Sequence, residues 1–322
     1  MPTTPMNFPS DMIPLSNEDI NTLIETQLSA WPEAKRNYDR LIEASRRPLP
    51  LGDLPGAAQC NPARIRSTAA AVDKESVAAR PCFLCASNRP QDQITLDWDS
   101  DWHLLVNPYP ILPVHFTIVS KRHEPQGAVP IEMAAMAEAA PDLAIFFNGA
   151  KAGASAPDHR HCQAVLKSEL PLISVVERYH PIDRAGWMSS EDYGADLPFA
   201  FLSAVIAPTP EGMAALAASG KACGFNPETG VCDPDMVNAF FWISDRGLLR
   251  IVVIPRKAHR PSHYFRENDR IMVSPGAIDM AGILILPRRE DFDRITEATA
   301  KEIYEETAFK RLPAEVAAPF LA

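Results

Sequence analysis

The spacing of apolar residues near the start of the chain predicts two helices. Across residues 17–46, apolar side chains recur at helical spacing and therefore share one face. Ser16 and Asp19 have the spacing of a capping box, in which each side chain bonds the backbone N–H of the other residue. Pro32 has no backbone N–H, so we expect it to divide the segment into two helices.

Shorter apolar runs beyond Pro81 predict strands. The expected strands are His103–Val106, His115–Ser120, Leu143–Asn148, Arg160–Leu166, Phe199–Ala207, Val237–Ser244 and Leu248–Pro255. The sequence Asp245-Arg-Gly247 between the last two predicts a hairpin turn. A single helix is expected over residues 290–307, and residues 48–81 are expected to be irregular. Because strands and helices do not alternate regularly, the predicted fold class is α+β.

Two of these strands end in a similar way, which indicates a faint internal repeat. The strand that begins at His115 ends in Lys121-Arg122-His123, and residues 248–259 form a strand that ends in Arg-Lys-Ala-His. A single pair without longer self-similarity fits two unrelated strands with basic ends equally well. The pattern alone leaves open whether the chain contains two related halves.

Composition limits the classes of protein to consider. Of the 322 residues, 46% are hydrophobic and 22% are charged, as in a globular protein. The 41 acidic and 31 basic residues give a net charge of −10, which argues against a nucleic-acid partner, because nucleic-acid binding needs a basic face. No apolar run reaches the ~18 residues that span a bilayer, and residues 1–14 lack the pattern of a signal peptide. We therefore expect a cytoplasmic protein without a membrane partner.

The most informative stretch of the sequence ends in His159-Arg-His161-Cys-Gln163. Side chains alternate along a strand, so His159, His161 and Gln163 are expected on one face, where two imidazoles and an amide converge. Small residues precede them, and their backbone N–H groups can approach a phosphate closely. The alternative is a structural pair of histidines. The glutamine and the small-residue loop favour a functional site.

Cys82 and Cys85 form a C-x-x-C motif, which supplies two thiolates. A tetrahedral zinc needs two more nitrogen or sulfur ligands. Six cysteines in the whole chain are too few for a disulfide scaffold. The alternative is that both are reduced thiols packed in the protein, but the motif favours zinc as a cofactor.

The block His159-x-His161-x-Gln163 and the loop before it resemble the signature of the histidine-triad superfamily, transferase branch. That branch includes galactose-1-phosphate uridylyltransferase, diadenosine tetraphosphate phosphorylase and the GDP-hexose phosphorylases. Residues 105–121 are similar to the strand–turn–strand that precedes the motif in these families. Residues 277–297 resemble the C-terminal part of the GDP-hexose phosphorylases.

The resemblance covers residues 82–300 and implies a fold. It implies two tandem histidine-triad-like halves, each an antiparallel sheet with helices. The second half is degenerate because it lacks a His-x-His-x-Gln block. The expected domains are an N-terminal helical and irregular extension over 1–80, a catalytic half over 81–185 and the degenerate half over 186–322.

The resemblance also implies nucleotidyl transfer of the phosphorylase type. His161 would attack the α-phosphorus of a nucleoside-diphosphate hexose or a dinucleoside polyphosphate, with inorganic phosphate or a sugar phosphate as acceptor. The carbonyl of His159 would accept the other ring N–H of His161, and Gln163 would donate to a phosphoryl oxygen. A nucleotide hydrolase of the same superfamily and a non-catalytic, zinc-braced nucleotide-binding protein are the alternatives. A homodimer is left open.

Four zinc ligands follow from the same resemblance. It identifies His123 and His159 as the ligands that complete the set begun by Cys82 and Cys85. His115 is a rival for the third ligand, although as the first residue of its strand it is expected to pack or cap.

Six residues outside the block are candidates for substrate contacts: Asn107, Lys121, Asn148, Gly153, Ser155 and Arg256. The resemblance implies that Asn107 holds the ribose. Basic residues cluster at strand ends, and one or two of them are expected to bind phosphates: Lys121, Arg256, Lys257 and Arg260. Three residues separate Ser155 from His159, which fits the GDP-hexose phosphorylases better than the uridylyltransferases. The base of the nucleotide is left open.

Overall fold

The structure, a computed structural model, describes residues 11–42, 44–65, 74–207, 209–226 and 231–321. The described helices are α1 Asn17–Ala30, α2 Pro32–Ile42, α3 Lys74–Ala78, α4 Met133–Ala139, α5 Pro171–Tyr179, α6 Pro210–Ser219, α7 Ala277–Met280, α8 Arg289–Arg294, α9 Glu297–Thr307 and α10 Ala314–Leu321. The described strands are β1 Arg46–Pro48, β2 Ala57–Cys60, β3 Thr95–Asp97, β4 Trp102–Val106, β5 His115–Ser120, β6 Leu143–Asn148, β7 His161–Leu166, β8 Gly186–Ser189, β9 Leu202–Ile206, β10 Gly224–Asn226, β11 Val231–Asp233, β12 Val237–Ile243, β13 Leu249–Pro255 and β14 Ile283–Leu286. The first ten residues, which belong to the stretch without a predicted signal peptide, lie outside the described part. None of the described helices is both long and apolar enough to cross a membrane.

Nine strands form one antiparallel sheet in the order β3-β4-β5-β7-β6-β12-β13-β9-β8. The five strands of residues 95–166 lie together on one side, and four strands of residues 186–255 lie on the other. β6 and β12 join the two groups, and Asn148 pairs there with Asn238. The predicted α+β class is confirmed. The division of the chain into related halves stays a prediction.

Both faces of the large sheet are covered by apolar cores. On β12, Phe240 and Trp242 belong to one core, whereas Phe241 and Ile243 belong to the core on the other face. Helices α5, α7 and α9 fill the first core, and α1, α4 and α10 fill the second. Because every residue of β12 is buried, its sequence is apolar except for Asn238.

Local signals in the sequence account for the N-terminal helices. The Ser16 hydroxyl accepts a hydrogen bond from the Asp19 N–H, and the Asp19 carboxylate accepts one from the Ser16 N–H. Helix α1 ends at Ala30 and α2 begins at Pro32, where the missing N–H is tolerated. The predicted capping box and the predicted break are both confirmed. So is the β12–β13 hairpin, in which Gly247 has a φ of 74°.

Two predictions about elements are wrong. The segment expected to form one helix forms α8 and α9, because Ile295 is extended and Thr296 caps α9 by accepting a hydrogen bond from the Thr299 N–H. The segment expected to be irregular contains β2, which pairs in parallel with β14 near the other end of the chain. Pairing between such distant segments leaves no local pattern from which it can be read.

Asp291 offers a test of how the C-terminal helices are held. Its buried carboxylate accepts hydrogen bonds from Arg288, Arg294 and the Met272 N–H. Replacing Asp291 by Ala is expected to lower the free energy of unfolding by about 3 kcal/mol, because the charge-assisted bonds from three partners are lost. Chemical denaturation measures this.

Asp293 on the same helix is the matched control. Its pair with Arg289 is exposed, so Asp293→Ala is expected to change the free energy of unfolding by less than about 1 kcal/mol. Equal losses in the two variants would contradict the assigned role of Asp291.

Candidate active site

A cavity of about 660 Å³ is lined by segments that are far apart in the sequence. The walls come from residues 80–93, 105–117, 146–163 and 259–285, together with Trp31, Glu33 and Arg64. His161 and Gln163, two residues apart on β7, both line it. The predicted convergence of an imidazole and an amide is therefore present for these two residues, in a cavity large enough for a small molecule.

The ring of His161 is buried and held in one orientation. Its Nδ1–H donates to the carbonyl oxygen of His159 over 2.8 Å, which leaves Nε2 as the nitrogen available to a ligand. Burial lowers the pKa of His161 to about 4. At neutral pH the ring is therefore uncharged, and Nε2 keeps its lone pair.

Gln126, which the sequence did not single out, holds the backbone of His161. Its Oε1 accepts from the His161 N–H over 3.0 Å, and its Nε2 donates to the carbonyl oxygens of His161 and Asn148, each over 2.8 Å. The side chain is fully buried. It therefore links the end of β6 to the start of β7.

His159 does not line this cavity with His161 and Gln163, which corrects the expected shared face of three side chains. It precedes β7, so the alternation of the strand does not extend to it. Its Nδ1 lies 3.3 Å from Sγ of Cys82, 3.6 Å from Sγ of Cys85 and 3.4 Å from Nδ1 of His123. All four residues offer ligand atoms within 4.8 Å of one another.

The four residues predicted to bind a metal are therefore brought together, and the group can hold a metal ion. A further hydrogen bond supports this metal-ligand group. Nε2–H of His159 donates to the carbonyl oxygen of Ser120 over 2.8 Å, which directs Nδ1 toward the cysteines. His115 lies apart from the group. It accepts a hydrogen bond from the Ile111 N–H and contacts Gln163, as expected for a residue that packs or caps.

Four of the six candidates for substrate contacts line the cavity: Asn107, Asn148, Gly153 and Ser155. The Asn148 carboxamide oxygen accepts from Asn238 and from the Ala277 N–H, so this side chain also connects segments of the protein. Asn107 accepts from the Tyr109 N–H and donates to Thr117.

Two of the six lie elsewhere in the described structure. Lys121 contacts Asp97 and the Asp99 carbonyl at the outer end of β5. Arg256 is fully buried, and its guanidinium donates to Asn238 and to backbone carbonyls, among them that of Thr307. Neither side chain is part of the cavity wall. A basic residue at a strand end does not reveal whether its charge faces a ligand or the protein.

Arg260, one of the basic residues noted at strand ends, lines the cavity. Arg64 and His259 also line it and were not among the candidates from the sequence, although His259 ends the strand noted there. Arg64 lies in the segment expected to be irregular, and nothing local marks it. Asp279 also lines the cavity, where it accepts from the backbone N–H groups of Gly276 and Ile285, and burial raises the pKa of its carboxyl to about 6.

The large antiparallel sheet, with His161 and Gln163 together on β7, agrees with the fold expected from the resemblance. Family models match two parts of the chain. Residues 23–166 match a family described as a domain of unknown function (DUF4922), and residues 241–312 match the GDPGP1-like C-terminal domain. A search of curated proteins finds no match.

Solved structures of a yeast enzyme share the fold. The Ap4A phosphorylase Apa2 in complex with Ap4A is 15% identical, with a TM-score of 0.57 over 91% of this chain and 99% of that chain. The same enzyme in complex with AMP is 13% identical, with a TM-score of 0.53 over 88% of this chain and 96% of that chain. The likeness to such phosphorylases expected from the sequence is thus confirmed at the level of the fold, which this chain shares with the yeast enzyme.

Gly153 offers a test of the cavity loop. It has a φ of +102°, and a Cβ there would lie 2.6 Å from Cα of Gly276 on the opposite wall. Gly153→Ala is expected to lower the free energy of unfolding by about 2–4 kcal/mol, since backbone strain and a backbone clash add. Urea denaturation measures the loss.

Gly186 is the matched control, because its φ is +89° but no atom lies within 4 Å of the position that a Cβ would take. Gly186→Ala is expected to lose only the strain, about 1–2 kcal/mol. If the two variants were equally stable, the close approach of the two loops would be wrong.

Proposed function

We propose that this protein is a nucleotidyltransferase of the phosphorylase type. Its substrate is a nucleoside-diphosphate hexose or a dinucleoside polyphosphate, and the reaction passes through a covalent nucleotidyl intermediate on His161. The observation that carries the proposal is the orientation of the uncharged ring: Nδ1–H is held by the His159 carbonyl, and Nε2 is left for a ligand in the cavity.

In the first step, Nε2 of His161 attacks the α-phosphorus. The new P–N bond forms as the bond to the bridging oxygen breaks, and a sugar phosphate or a nucleotide departs with that oxygen and the electron pair. The His159 carbonyl stabilises the positive charge that develops on the ring by accepting its Nδ1–H. Gln163 donates an amide N–H to a non-bridging oxygen, where negative charge accumulates.

In the second step, an oxygen of inorganic phosphate attacks the same phosphorus and displaces His161. The P–N bond breaks, the ring regains its neutral state, and the product is a nucleoside diphosphate whose β-phosphate is the acceptor. Two in-line displacements return the α-phosphorus to its original configuration.

Charges in the cavity suit a chain of phosphates. Arg64 and Arg260 both line it, and each guanidinium is held by the protein, Arg64 by the Tyr109 carbonyl and Arg260 by Ser274. Pre-positioned guanidinium groups bind phosphate with little loss of side-chain freedom. We assign them to the phosphates beyond the α-position, and Asn107, Asn148, Gly153 and Ser155 to contacts with the nucleotide. The ligands named for the yeast phosphorylase, Ap4A and AMP, support a nucleotide substrate.

We further propose that the metal is zinc. Ligand atoms on a tetrahedral zinc with bonds of ~2.0–2.3 Å lie about 3.3–3.8 Å apart. Three distances from a cysteine Sγ to a histidine Nδ1 in the group are 3.3–3.6 Å: Cys82 to His159, Cys85 to His123 and Cys85 to His159. A zinc bound there is structural, because its four protein ligands leave no open position. It would brace the backbone at His159, whose carbonyl orients His161.

The two tandem halves are part of the same proposal. The strands of 81–185 are contiguous in the large sheet, and so are those of 186–322 that belong to it. Only the first group contributes the imidazole and the amide. One active site per chain is therefore expected.

Replacing His161 by Asn tests the covalent route, because it removes the attacking nitrogen and keeps a polar group. Turnover of a nucleotide sugar or dinucleotide is expected to fall by at least about 10³-fold. Replacing Gln163 by Ala removes one donor and is expected to be milder, about 10- to 100-fold. Rates are measured with a panel of both substrate classes.

His103→Asn is the control, since His103 lies on β4 and pairs with Asp97 at the surface. It is expected to leave turnover within about twofold. A His161→Asn protein with near-normal turnover would contradict the covalent mechanism, and so would inversion at a chiral α-phosphorus.

The product distinguishes the proposal from its alternatives. With labelled inorganic phosphate, the label is expected in the β-phosphate of a nucleoside diphosphate, and without phosphate a radiolabelled nucleotidyl group is expected to stay on the protein. Release of nucleoside monophosphate independent of phosphate would indicate a hydrolase. Binding without any product would indicate a nucleotide-binding protein.

Replacing Cys85 by Ser tests the metal, since a hydroxyl is a poor zinc ligand. Protein purified without chelator is expected to contain one zinc per chain by elemental analysis, and the Cys85→Ser protein less than about a tenth of that. Cys232→Ser, which changes an exposed thiol outside the group, is expected to keep the full content. Wild-type protein without stoichiometric zinc would contradict the proposal.

A further inference from the structure

A chain of hydrogen bonds inside the protein ends at the amide of Gln163. The Ile111 N–H donates to Nδ1 of His115 over 3.1 Å, and Nε2 of His115 lies 2.8 Å from Oε1 of Gln163. His115 is fully buried and is the first residue of β5, which pairs directly with β7, the strand of Gln163. His115 and the Ile111 N–H take no part in the mechanism given above.

The direction of each bond in this chain follows from its first member. A backbone N–H can only donate, so Nδ1 of His115 must be the acceptor and carries no proton. A neutral imidazole has one N–H, which is therefore on Nε2 and donates to Gln163. Burial, reinforced by the charge of Arg64, lowers the pKa of His115 to about 3, so the ring is neutral at any physiological pH.

The consequence for Gln163 is a defined polarity of its carboxamide. With Oε1 committed to His115, the NH₂ group is on the other side of the amide, and among the described residues it has no protein acceptor. Gln163 lines the cavity beside His161. If the amide were reversed, two N–H donors would face each other at His115, and the carbonyl oxygen would face the ligand.

We propose that His115 is a positioning residue that directs the amide N–H of Gln163 toward the phosphoryl group. The inference rests on the proposed function, since it concerns the donor to the non-bridging oxygen. His115 itself touches neither substrate nor reacting atoms. It acts because a buried, neutral, singly protonated ring accepts on one side and donates on the other.

A double-mutant cycle between His115 and Gln163 tests this in the full-length protein. His115→Phe retains the ring volume but removes both nitrogens, and is expected to lower kcat by about 10- to 100-fold with KM changed less than about threefold. Gln163→Ala is expected to lower kcat by a similar factor. In the Gln163→Ala background, His115→Phe is expected to lower kcat by less than about threefold, because the donor that it positions is already absent.

Two further variants separate positioning from stability. Val165→Ala creates a small void at the residue that pairs with His115 across β5 and β7 without touching the hydrogen bonds, and it is expected to keep kcat within about twofold. His115→Gln can accept and donate as the imidazole does, and is expected to recover at least about fivefold of the kcat lost in His115→Phe. If His115→Phe does not fold, the His115→Gln variant takes its place in the double-mutant cycle and is expected to lose less kcat than Gln163→Ala.

Additive losses in the cycle would overturn the proposal, since they would show that His115 acts independently of Gln163. Equal activity of the Phe and Gln variants would overturn it as well.

A second measurement does not depend on turnover. In protein labelled with ¹⁵N-histidine, long-range ¹H–¹⁵N spectra report which ring nitrogen is protonated, and the signal absent from the His115→Gln spectrum identifies His115. We expect the Nε2–H form at neutral pH. An Nδ1–H or doubly protonated ring would overturn the inference even in an active enzyme. If His115 has the expected tautomer but the protein transfers no nucleotide, the proposed function fails and the position of the His115 proton does not.

Discussion

The hydrogen bond from Nδ1–H of His161 to the carbonyl oxygen of His159 determines which ring nitrogen reaches the cavity. A buried N–H must be paired, so the ring can turn only if the backbone at His159 moves with it. That backbone is held from two directions. The ring of His159 lies between Cys82 and the Ser120 carbonyl, and Gln126 accepts a hydrogen bond from the backbone N–H of His161. The metal-ligand group and the cavity are thus connected through two peptide units, although none of the four ligand residues lines the cavity.

A second buried network connects the two groups of strands. Asn238 on β12 donates to the carboxamide oxygen of Asn148 on β6, and its own oxygen accepts from Arg256 on β13. The same Asn148 oxygen accepts from the Ala277 N–H, which fixes the start of α7 against the cavity. A buried guanidinium is stable only when its donors are satisfied, so Arg256 requires this arrangement of carbonyls around it. Arg256, which was expected at the substrate, therefore supports the wall instead, whereas Asn148 supports the wall and also lines the cavity.

The features that sequence predicts well are those set by neighbours in the chain. The capping box at Ser16 and the break at Pro32 depend on a few adjacent residues. The strands that contain His161 and Asn148 depend on short, mainly apolar runs. In the metal-ligand group, Cys82 and Cys85 came from a local motif. His123 and His159 came from a resemblance, which carries long-range information that spacing lacks. Features that depend on distant partners were not predictable, such as the parallel pairing of β2 or the place of Arg64 in the cavity.

The same distinction applies to side-chain roles. Lys121 and Arg256 have the same charge and the same position at a strand end, and only the tertiary structure shows that one lies at the surface and the other is enclosed by carbonyls. For Gln163 the residue type indicates a donor or an acceptor equally. The choice between them is made by His115 on the neighbouring strand, which no pattern within β7 contains.

Glutamine at position 163 bears on the class of leaving group. An amide donates a hydrogen bond but does not transfer a proton, so this position does not provide a general acid. A leaving group that is itself a phosphate departs as a stable anion and needs no proton in the transition state, whereas an amine or alkoxide does. Phosphate as the second nucleophile is likewise ionised before it attacks, while water must lose a proton to a base. A neutral imidazole and an orienting amide are therefore sufficient for exchange between phosphates, and this supports phosphorolysis over hydrolysis as the proposed reaction.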